Sequence, residues 1–258
     1  MRRARSRLGR GHAVVWAVGD GADGSPEARA VASQIASQRV DHFLYLGDVY
    51  DDGTAQEYAR NYKGTYGRLD PITAPTPGNH EWPNAAEGYR PYWHRVRERP
   101  MPSYYSFTAG GWELLSLNSE APHDHGSPQL RWLRGALARP GRCRIAFWHR
   151  ARFSAGRHGD QADTDPLWAA LRDKATIVVV GHDHNMQRLD PIDGITQFVS
   201  GAGGRSHYEF DPSDERLAFA NDRDYGALRL ELSPGVARYA FVSISGEMLD
   251  FGELGCRD

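Results

Sequence analysis

The sequence predicts an α/β fold in which two packed, mixed β-sheets are flanked by helices, a four-layer αββα sandwich. Two observations predict it. As far as Asn185, short apolar runs alternate with helical patterns, which is typical of strands covered by helices. Beyond Asn185 the pattern changes to successive strands separated by Gly-rich turns. A first part in which helices cover strands, followed by a meander of strands, favours two packed sheets with helices on the outside.

The elements of the first part follow from local signals. Ala13–Val18 is an unbroken apolar run, which predicts a buried strand. A helix is expected from about Pro26 to Gln38, because Ser25 precedes it as an N-cap and proline suits the first helical turn. The other elements expected here are strand His42–Leu46, a polar helix around Thr54–Tyr62, a short extended piece into Thr76, a hairpin of Tyr104–Phe107 with Trp112–Leu117, an amphipathic helix Ser127–Ala138, and strands Arg144–Trp148 and Thr176–Val180.

The second part predicts only strands, and no linker or internal repeat divides the chain. We therefore expect residues 13–258 to form a single domain, preceded by a basic, disordered arm over residues 1–12. The strands expected in the second part are Met186–Leu189, Ile195–Ser200, Ala227–Leu232, Ala237–Val242 and Glu247–Asp250.

Composition excludes several classes of protein. A formal net charge of −2 gives no field that would attract nucleic acid or an anionic membrane, so neither is expected as a partner. No segment approaches the roughly 20 apolar residues of a membrane helix. The basic N-terminus lacks the apolar stretch of an export signal, which predicts a cytoplasmic location for the chain as given. A secreted chain whose signal peptide had been removed would look the same.

The two cysteines, Cys143 and Cys256, do not form a disulfide framework. Buried free thiols are the favoured interpretation. The alternative is one disulfide that ties the C-terminal tail to a central strand, if the protein meets an oxidising compartment.

Five short polar motifs follow predicted strands at or near their ends. In an open α/β sheet these ends are where sites assemble, and glycine lets the backbone turn sharply and approach a ligand. The side chains offered are two carboxylates, one amide and three imidazoles, a mixture that suits divalent or trivalent transition ions rather than calcium or a structural zinc. The motifs are Gly19-Asp20, Gly47-Asp48, Gly78-Asn79-His80-Glu81, His149 and Gly181-His182-Asp183-His184.

Each motif alone is a weak signal, because Gly-Asp at a strand end is more often a turn than a metal ligand. The GHDH motif is stronger, since alternation along an extended segment places His182 and His184 on the same side. The prediction of a metal site rests on the presence of all five motifs together, in this order along the chain.

With these motifs the chain resembles the calcineurin-like metallophosphoesterases, and within them it is most similar to purple acid phosphatase-like proteins. The resemblance runs from Gly19 to the C-terminal strands. It rests on the segments LGDVYDDG, TPGNHEW, FWHRARFSAGRHG, GHDH and FVSGAGG. This set is specific for the superfamily and less so for a substrate.

The resemblance implies two metal ions, with Fe, Mn or Zn as candidates. One ion would be held by Asp20, Asp48 and His184, and the other by Asp48 as the bridge together with Asn79, His149 and His182. The physics is consistent with this arrangement, because two cations about 3.5–4 Å apart need an anionic bridge and jointly lower the pKa of a bound water. The hydroxide formed in this way would attack the phosphorus of a phosphate monoester.

Two further histidines are implied to face the substrate. His80 matches the family histidine that contacts the phosphate and helps to protonate the leaving group, a task that suits an imidazole near neutral pH. His158 lies where purple acid phosphatases carry a substrate-facing histidine, although a histidine of a mobile loop would look the same. For Glu81 two interpretations stay open, an orienting partner of His80 or an exposed charge.

The chain departs from the family pattern around the first metal. Purple acid phosphatases place a metal-binding tyrosine three residues after the bridging aspartate, where this chain has Asp51, whereas Tyr50 comes two residues after. Many phosphoesterases have a histidine two residues after the first aspartate, where this chain has Ala22. Either Tyr50 binds through a shortened loop, which we favour, or the first ion has no fourth protein ligand. Ferric iron is correspondingly less secure than in the purple enzymes.

The predicted function is therefore hydrolysis of small-molecule phosphate monoesters. Hydrolysis of a phosphodiester, such as a cyclic nucleotide, uses the same site chemistry and remains an alternative. A non-catalytic scaffold on the same fold is a third reading, which the full set of ligands disfavours. Two other clusters are interpreted as loops, the second of them as a possible substrate rim: His123 with His125, and Arg205 with His207 and Tyr208.

Overall fold

The computed structural model describes residues 11–139 and 143–256. The N-terminal arm predicted for residues 1–12 therefore lies almost entirely outside the described residues. Within them, two β-sheets face each other, as the alternation of apolar runs and helical patterns predicts.

The first sheet has six strands in the order β13-β12-β11-β1-β2-β3. The strands β1, β2 and β3 run parallel, and β1 pairs antiparallel with β11, which begins the C-terminal meander. The strand bounds are β1 Ala13–Val18, β2 His42–Tyr45, β3 Thr73–Pro75, β11 Gly226–Ser233, β12 Val236–Ser243 and β13 Met248–Gly255.

The second sheet has seven strands in the order β10-β8-β9-β7-β6-β5-β4. Its centre, from β5 through β6 and β7 to β9, is parallel, and antiparallel strands complete both edges. The strand bounds are β4 Tyr105–Ala109, β5 Trp112–Ser116, β6 Cys143–Phe147, β7 Ile177–Val180, β8 Met186–Leu189, β9 Thr196–Ser200 and β10 Leu217–Asn221.

Helices cover the outer face of each sheet. The α-helices are α1 Pro26–Ser37, α2 Ala55–Glu57, α3 Lys63–Thr65, α4 Tyr89–Arg97, α5 Pro128–Leu137 and α6 Asp165–Leu171. A π-helical turn, Tyr58–Tyr62, joins α2 to α3, and 3₁₀ segments lie at Tyr66–Ile72 and Ala162–Thr164. None of the helices in the described residues is long and apolar enough to cross a membrane.

Three apolar clusters account for the four layers. The inner cluster lies between the sheets, with Val15 and Leu44 from the first sheet and Phe147 and Val179 from the second. A second cluster packs α1 and the aromatic helical segment against the outer face of the first sheet, and a third packs α5 and α6 against the second. Burial of β1, β2 and β7 on both faces explains why their sequences are continuous apolar runs rather than alternating ones.

The N-caps predicted for two helices are present. The hydroxyl of Ser25 accepts a hydrogen bond from the backbone N–H of Ala28 at 3.0 Å, and that of Ser127 accepts one from Leu130 at 3.1 Å. Each satisfies one of the amides that have no partner within the first helical turn. The sequence thus contains enough information to begin these two helices correctly.

Sequence analysis missed α3, α4, α6, β10 and both 3₁₀ segments. The helix α4 starts after Gly88 without a side-chain cap and contains Pro91, so its sequence lacks the usual start signal and includes a helix breaker. The strand β10 is a half-exposed edge strand of five residues, too short for its alternation to stand out. Trp132 of α5 is only partly buried at the edge of the third cluster.

A disulfide joins Cys143 to Cys256, with 5.2 Å between their Cα atoms, so the prediction of free thiols is wrong. Cys143 begins β6 of the second sheet and Cys256 follows β13 of the first. Both cysteines pack against the inner cluster. The bond therefore links the two sheets across 113 residues of sequence, which no spacing rule reveals.

We expect removal of this disulfide to destabilise the fold by about 2–5 kcal/mol, because the bond restricts the unfolded chain over a long loop. The measurement is urea unfolding of the wild type with and without reductant, beside the Cys143→Ser/Cys256→Ser double variant. The reduced wild type and the variant should share one lowered midpoint, and the variant should not respond to reductant. An unchanged wild-type midpoint on reduction would contradict this expectation.

Candidate metal centre

The predicted polar motifs meet where parallel strands of both sheets end. Asp20 follows β1, Asp48 follows β2, and His182 follows β7. All three have left-handed backbone conformations, with φ of 60°, 67° and 72°. A left-handed residue directly after a strand reverses the chain, so that its side chain points along the sheet edge. Strained backbone at three neighbouring strand ends is a common mark of a functional site.

Glycine at position 78 is required by the close approach of two chain segments. A Cβ atom there would overlap with Oδ1 and the backbone nitrogen of Asp48. The turn after β3 can therefore pack on the turn after β2 only without a side chain at this position. This contact brings Asn79 towards Asp48.

One group of donor atoms surrounds Nε2 of His149. This nitrogen lies 3.0 Å from Oδ1 of Asn79, 3.1 Å from Nδ1 of His182 and 3.3 Å from Oδ1 of Asp48. Suitable ligand atoms of Asp48, His149 and His182 all lie within 4.8 Å of one another. These are the four residues that the resemblance implies for the second metal.

A second group lies on the other side of Asp48. The hydroxyl of Tyr50 is 3.2 Å from Oδ2 of Asp48, 3.4 Å from Oδ1 of Asp20 and 2.9 Å from Nε2 of His184. Nε2 of His184 is 3.7 Å from Oδ1 of Asp20. The two oxygens of Asp48 thus face different groups, which is the arrangement a bridging carboxylate needs.

The hydrogen bonds of His149 and His184 leave lone pairs inside these groups. His149 donates through Nδ1 to the carbonyl oxygen of Leu46 at 2.8 Å, and His184 donates through Nδ1 to that of Ser206 at 2.8 Å. In the neutral ring, Nε2 then carries a lone pair aimed at other acceptor atoms. Such a set repels itself unless a cation lies within it. A backbone carbonyl that orients an imidazole is also the usual partner of a metal-binding histidine. The donor set therefore fits two transition-metal ions.

Burial makes this crowding electrostatically severe. Asp20 and His149 are 0% exposed and Asp48 is 1% exposed. Burial raises the pKa of Asp20, whereas for Asp48 the effect of burial is outweighed by His149, which holds its pKa below the ordinary value. Burial lowers the pKa of His149, but the Asp48 carboxylate outweighs this and brings it to about 10. Burial and His149 lower the pKa of His182 to about 2. The cluster thus favours a positive charge at His149, beside Asp48, and disfavours one at His182.

Glu81 has a role that neither of our two interpretations anticipated. It is 0% exposed, so it is not a surface charge, and no hydrogen bond joins it to His80 among the described residues. Its Oε2 accepts hydrogen bonds from the backbone N–H groups of Asp48 and Val49, at 3.1 and 3.3 Å. Among the described residues Oε1 has no hydrogen-bond partner, and burial raises the pKa of Glu81 to about 8. Glu81 therefore supports the left-handed turn that presents Asp48.

His80 and His158 both lie at this site. Nε2 of His80 is 3.8 Å from Oδ2 of Asp48, and its Nδ1 donates to the carbonyl oxygen of Asp51. The ring of His158 stacks on that of His182, with 3.9 Å between centroids. His80 is 36% exposed and His158 is also exposed, so both rings reach solvent.

Asp183 was missed as a supporting residue, although it stands inside the GHDH motif. It is 0% exposed; its Oδ2 accepts from the hydroxyl of Ser154 and its Oδ1 from the backbone N–H of His158 at 2.9 Å. Alternation along the motif places Asp183 opposite the two histidines, a signal that could have identified it. Asp183 fixes the loop that carries His158.

The residues that we considered for the substrate rim divide into two groups. Tyr208 stacks on His184 with 3.9 Å between centroids, and Arg205 lies over the ring of Tyr50 at 4.6 Å. His207 instead stacks on Tyr225.

The histidines of the PHDHG segment lie apart from the donor groups. Both ring nitrogens of His123 face backbone carbonyl oxygens, and His125 contacts Arg134. Neither contacts a residue of the two groups described above.

The sequence of the chain is similar to those of known proteins. The family model described as calcineurin-like phosphoesterase matches residues 13–186. Two uncharacterized proteins of Mycobacterium tuberculosis, from strains CDC 1551 / Oshkosh and ATCC 25618 / H37Rv, are each 28% identical over 208 residues, which is 66% of this chain and 39% of the relative. The chain thus spans well under half the length of these relatives.

Solved structures of similar fold include proteins with different roles. A purple acid phosphatase, PPD1, from yellow lupin (Lupinus luteus) seeds has a TM-score of 0.78 and 19% identity, covering 95% of this chain and 54% of its own. GAP50, the anchor in the inner membrane complex of Plasmodium, has a TM-score of 0.79 and 16% identity, covering 96% and 90%. A dimetal phosphatase from Danio rerio has a TM-score of 0.65 and 14% identity, covering 94% and 98%. These likenesses show the fold.

We expect Gly78→Ala to disrupt the contact between the turns after β2 and β3, because the added Cβ overlaps with Asp48. Overpacking of this kind costs about 1–3 kcal/mol. The measurement is thermal unfolding together with metal content after dialysis against manganese. The matched control is Gly135→Ala in α5, where a Cβ meets nothing within 4 Å. Equal stability and metal content in the two variants would contradict the expectation.

Proposed function

The chain belongs to the calcineurin-like phosphoesterase family, and from that premise we propose that it hydrolyses phosphate monoesters with two bound metal ions. The observation that carries the proposal is the pair of donor groups on either side of Asp48, in which carboxylate, amide, phenol and imidazole atoms lie 3.0–3.4 Å apart. A family member that kept only the fold would not need to bury so many mutually repelling donors.

We assign the ligands accordingly. Asp20, Asp48, Tyr50 and His184 would hold one ion, since the hydroxyl of Tyr50 lies within 3.4 Å of side-chain atoms of the other three. The second ion would be held by the four residues around Nε2 of His149, namely Asp48, Asn79, His149 and His182. Iron, manganese and zinc all suit a set of oxygen and imidazole nitrogen donors.

The reaction then divides between the metal ions and the chain. A bound pair of ions supplies a water of lowered pKa and neutralises charge on the phosphoryl oxygens. His80 would contact the phosphate and deliver a proton from Nε2 to the leaving oxygen, since its Nδ1–H is held by the carbonyl oxygen of Asp51. His158, held at its backbone by Asp183, would contact the same phosphate from the side of His182.

The two alternatives are separated by different measurements. A phosphodiesterase would use the same side chains, so the comparison of rates on matched mono- and diesters decides. A non-catalytic scaffold would not need metal. Purification with well under one equivalent of metal, and no gain on reconstitution, would favour the scaffold.

We expect the metal-loaded protein to hydrolyse phenyl phosphate, and His80→Asn to lower kcat about a hundredfold or more because the phenolate, a poor leaving group, then lacks its acid. The measurement is steady-state release of inorganic phosphate with manganese, iron or zinc supplied. His94→Asn, at an exposed histidine of α4, is the matched control and should retain full activity.

The loss should shrink with a leaving group of low pKa, because such a phenolate departs without protonation. A structural role of His80 would lower activity equally for all leaving groups. No turnover by wild-type protein that has bound two equivalents of any of the three metals would overturn the proposed function.

We expect Tyr50→Phe to remove a visible absorption band from iron-loaded protein, since a phenolate bound to ferric iron absorbs visible light. The hydroxyl of Tyr50 lies between both aspartates and His184, so its removal leaves the other donors in place. Tyr45→Phe is the comparison variant, because the hydroxyl of Tyr45 donates to the backbone oxygen of Asp48 instead. A spectrum unchanged by Tyr50→Phe would remove Tyr50 from the ligand set.

A further inference from the structure

A row of ring contacts crosses the candidate metal centre and ends in an arginine on each side. The guanidinium of Arg205 lies 4.6 Å from the ring centroid of Tyr50, whose ring is 6.0 Å from that of His184. His184 stacks on Tyr208 at 3.9 Å, and the guanidinium of Arg157 lies 5.0 Å from the centroid of Tyr208. Two cations therefore flank the side chains assigned to the metals without belonging to them.

The loops that carry these arginines are tied to the metal-binding residues. The backbone N–H of Arg205 donates to the carbonyl oxygen of Asp20 at 2.9 Å, and that of Tyr208 donates to the carbonyl oxygen of His184 at 3.2 Å. The loop of Arg157 is held at the following residue, His158, whose backbone N–H donates a hydrogen bond to Asp183. Anchored loops keep a binding group in place with little loss of freedom on binding.

The charges of the two arginines are poorly compensated. No carboxylate oxygen of residues 11–139 and 143–256 lies within 4.0 Å of the guanidinium nitrogens of Arg157. Arg205 pairs only with Asp51 at 3.1 Å, and their side chains are 39% and 71% exposed. A pair this exposed contributes little and is easily exchanged for another anion.

The neighbouring Arg150 shows the contrast. Its guanidinium is 3.1 Å from Glu120 and 2.6 Å from Asp163, so both of its sides are taken by carboxylates. Arg150 thus has the contacts of a structural arginine, whereas Arg157 has only the face of an aromatic ring. A guanidinium stacked on a ring keeps its N–H edge free for a carboxylate or a phosphate.

We propose that Arg157 binds a second anionic group of the substrate, so that the preferred substrates are phosphate monoesters that carry a further phosphate or carboxylate. This inference rests on the proposed function. An exposed cation beside a centre that holds metal cations is repelled by it, and an additional anion between them removes that repulsion. The second anion binds away from the reacting phosphate and so supplies affinity rather than chemistry.

The cleft beside Arg157 has room for the body of such a substrate. It has a volume of about 570 Å³ and is lined by Arg157, His207, Tyr208 and Phe210, with Glu209 and Asp211 also present. The carboxylate of Asp211 accepts hydrogen bonds from the N–H and hydroxyl of Ser213, so part of its charge is already compensated. Clefts of this size are typical of sites for small organic molecules.

The test compares two esters of equal shape and different charge, para-carboxyphenyl phosphate and its neutral counterpart para-carbamoylphenyl phosphate. The wild type should prefer the carboxylate about tenfold in kcat/KM, mainly through KM, as one charge-assisted contact predicts. Arg157→Gln should abolish this preference, whereas Arg205→Gln, on the other side of the centre, should keep it. Arg95→Gln, at an exposed arginine of α4 with no ion pair among the described residues, is the matched control and should also keep it.

A binding measurement gives a second readout that does not depend on turnover. The non-hydrolysable para-carboxyphenylphosphonate should bind the metal-loaded wild type more tightly than its carboxamide by titration calorimetry, and the Arg157→Gln variant should bind both equally. Turnover of both esters without a preference for the carboxylate, or a preference that survives in Arg157→Gln, would overturn this inference alone. No turnover of either ester would overturn the proposed function, and the inference with it.

Discussion

The structure depends above all on the crowding of electron pairs around Asp48. Its carboxylate is almost fully buried, and donor atoms of Asn79, His149 and Tyr50 face it from both sides. Isolated charges and unshared lone pairs are costly inside a protein, and the cost is offset only when a cation lies among them. The raised pKa of His149 has the same origin, because the carboxylate draws a positive charge to the nearest imidazole. Two metal ions would compensate the buried charges and lone pairs more completely than one proton on His149.

The fold is arranged to tolerate this crowding. Parallel strands of the two sheets end at one edge, and left-handed turns at Asp20, Asp48 and His182 carry the proposed ligands there. Their strain is opposed by packing elsewhere, from three apolar clusters and from the disulfide between the sheets. Glu81 acts at the turn itself, through the backbone of Asp48. The rim loops then rest on this frame, which is why Arg157 and Arg205 are held near the centre.

Sequence reasoning succeeded where one residue type carries one physical meaning. The two packed sheets were predicted because apolar runs and helical patterns alternate. The meeting of polar motifs at strand ends was predicted because glycine and a polar side chain follow strand after strand, while the role of these side chains as metal ligands stays a prediction. It failed where the role of a residue depends on contacts with distant parts of the chain. The burial of a glutamate cannot be predicted from its residue type, so neither interpretation of Glu81 was correct. The pairing of Cys143 with Cys256 depends on how two sheets align, and the roles of Asp183 and Arg157 depend on which loop each one meets.

The most direct test of the central claim is anomalous diffraction from crystals of the manganese- or zinc-loaded protein, measured at the absorption edge of the metal. The account predicts two peaks within bonding distance of protein donors, one on each side of Asp48, with His149 at one and His184 at the other. Peaks only at surface carboxylates, or none at the sheet edge with both ligand groups intact, would contradict it.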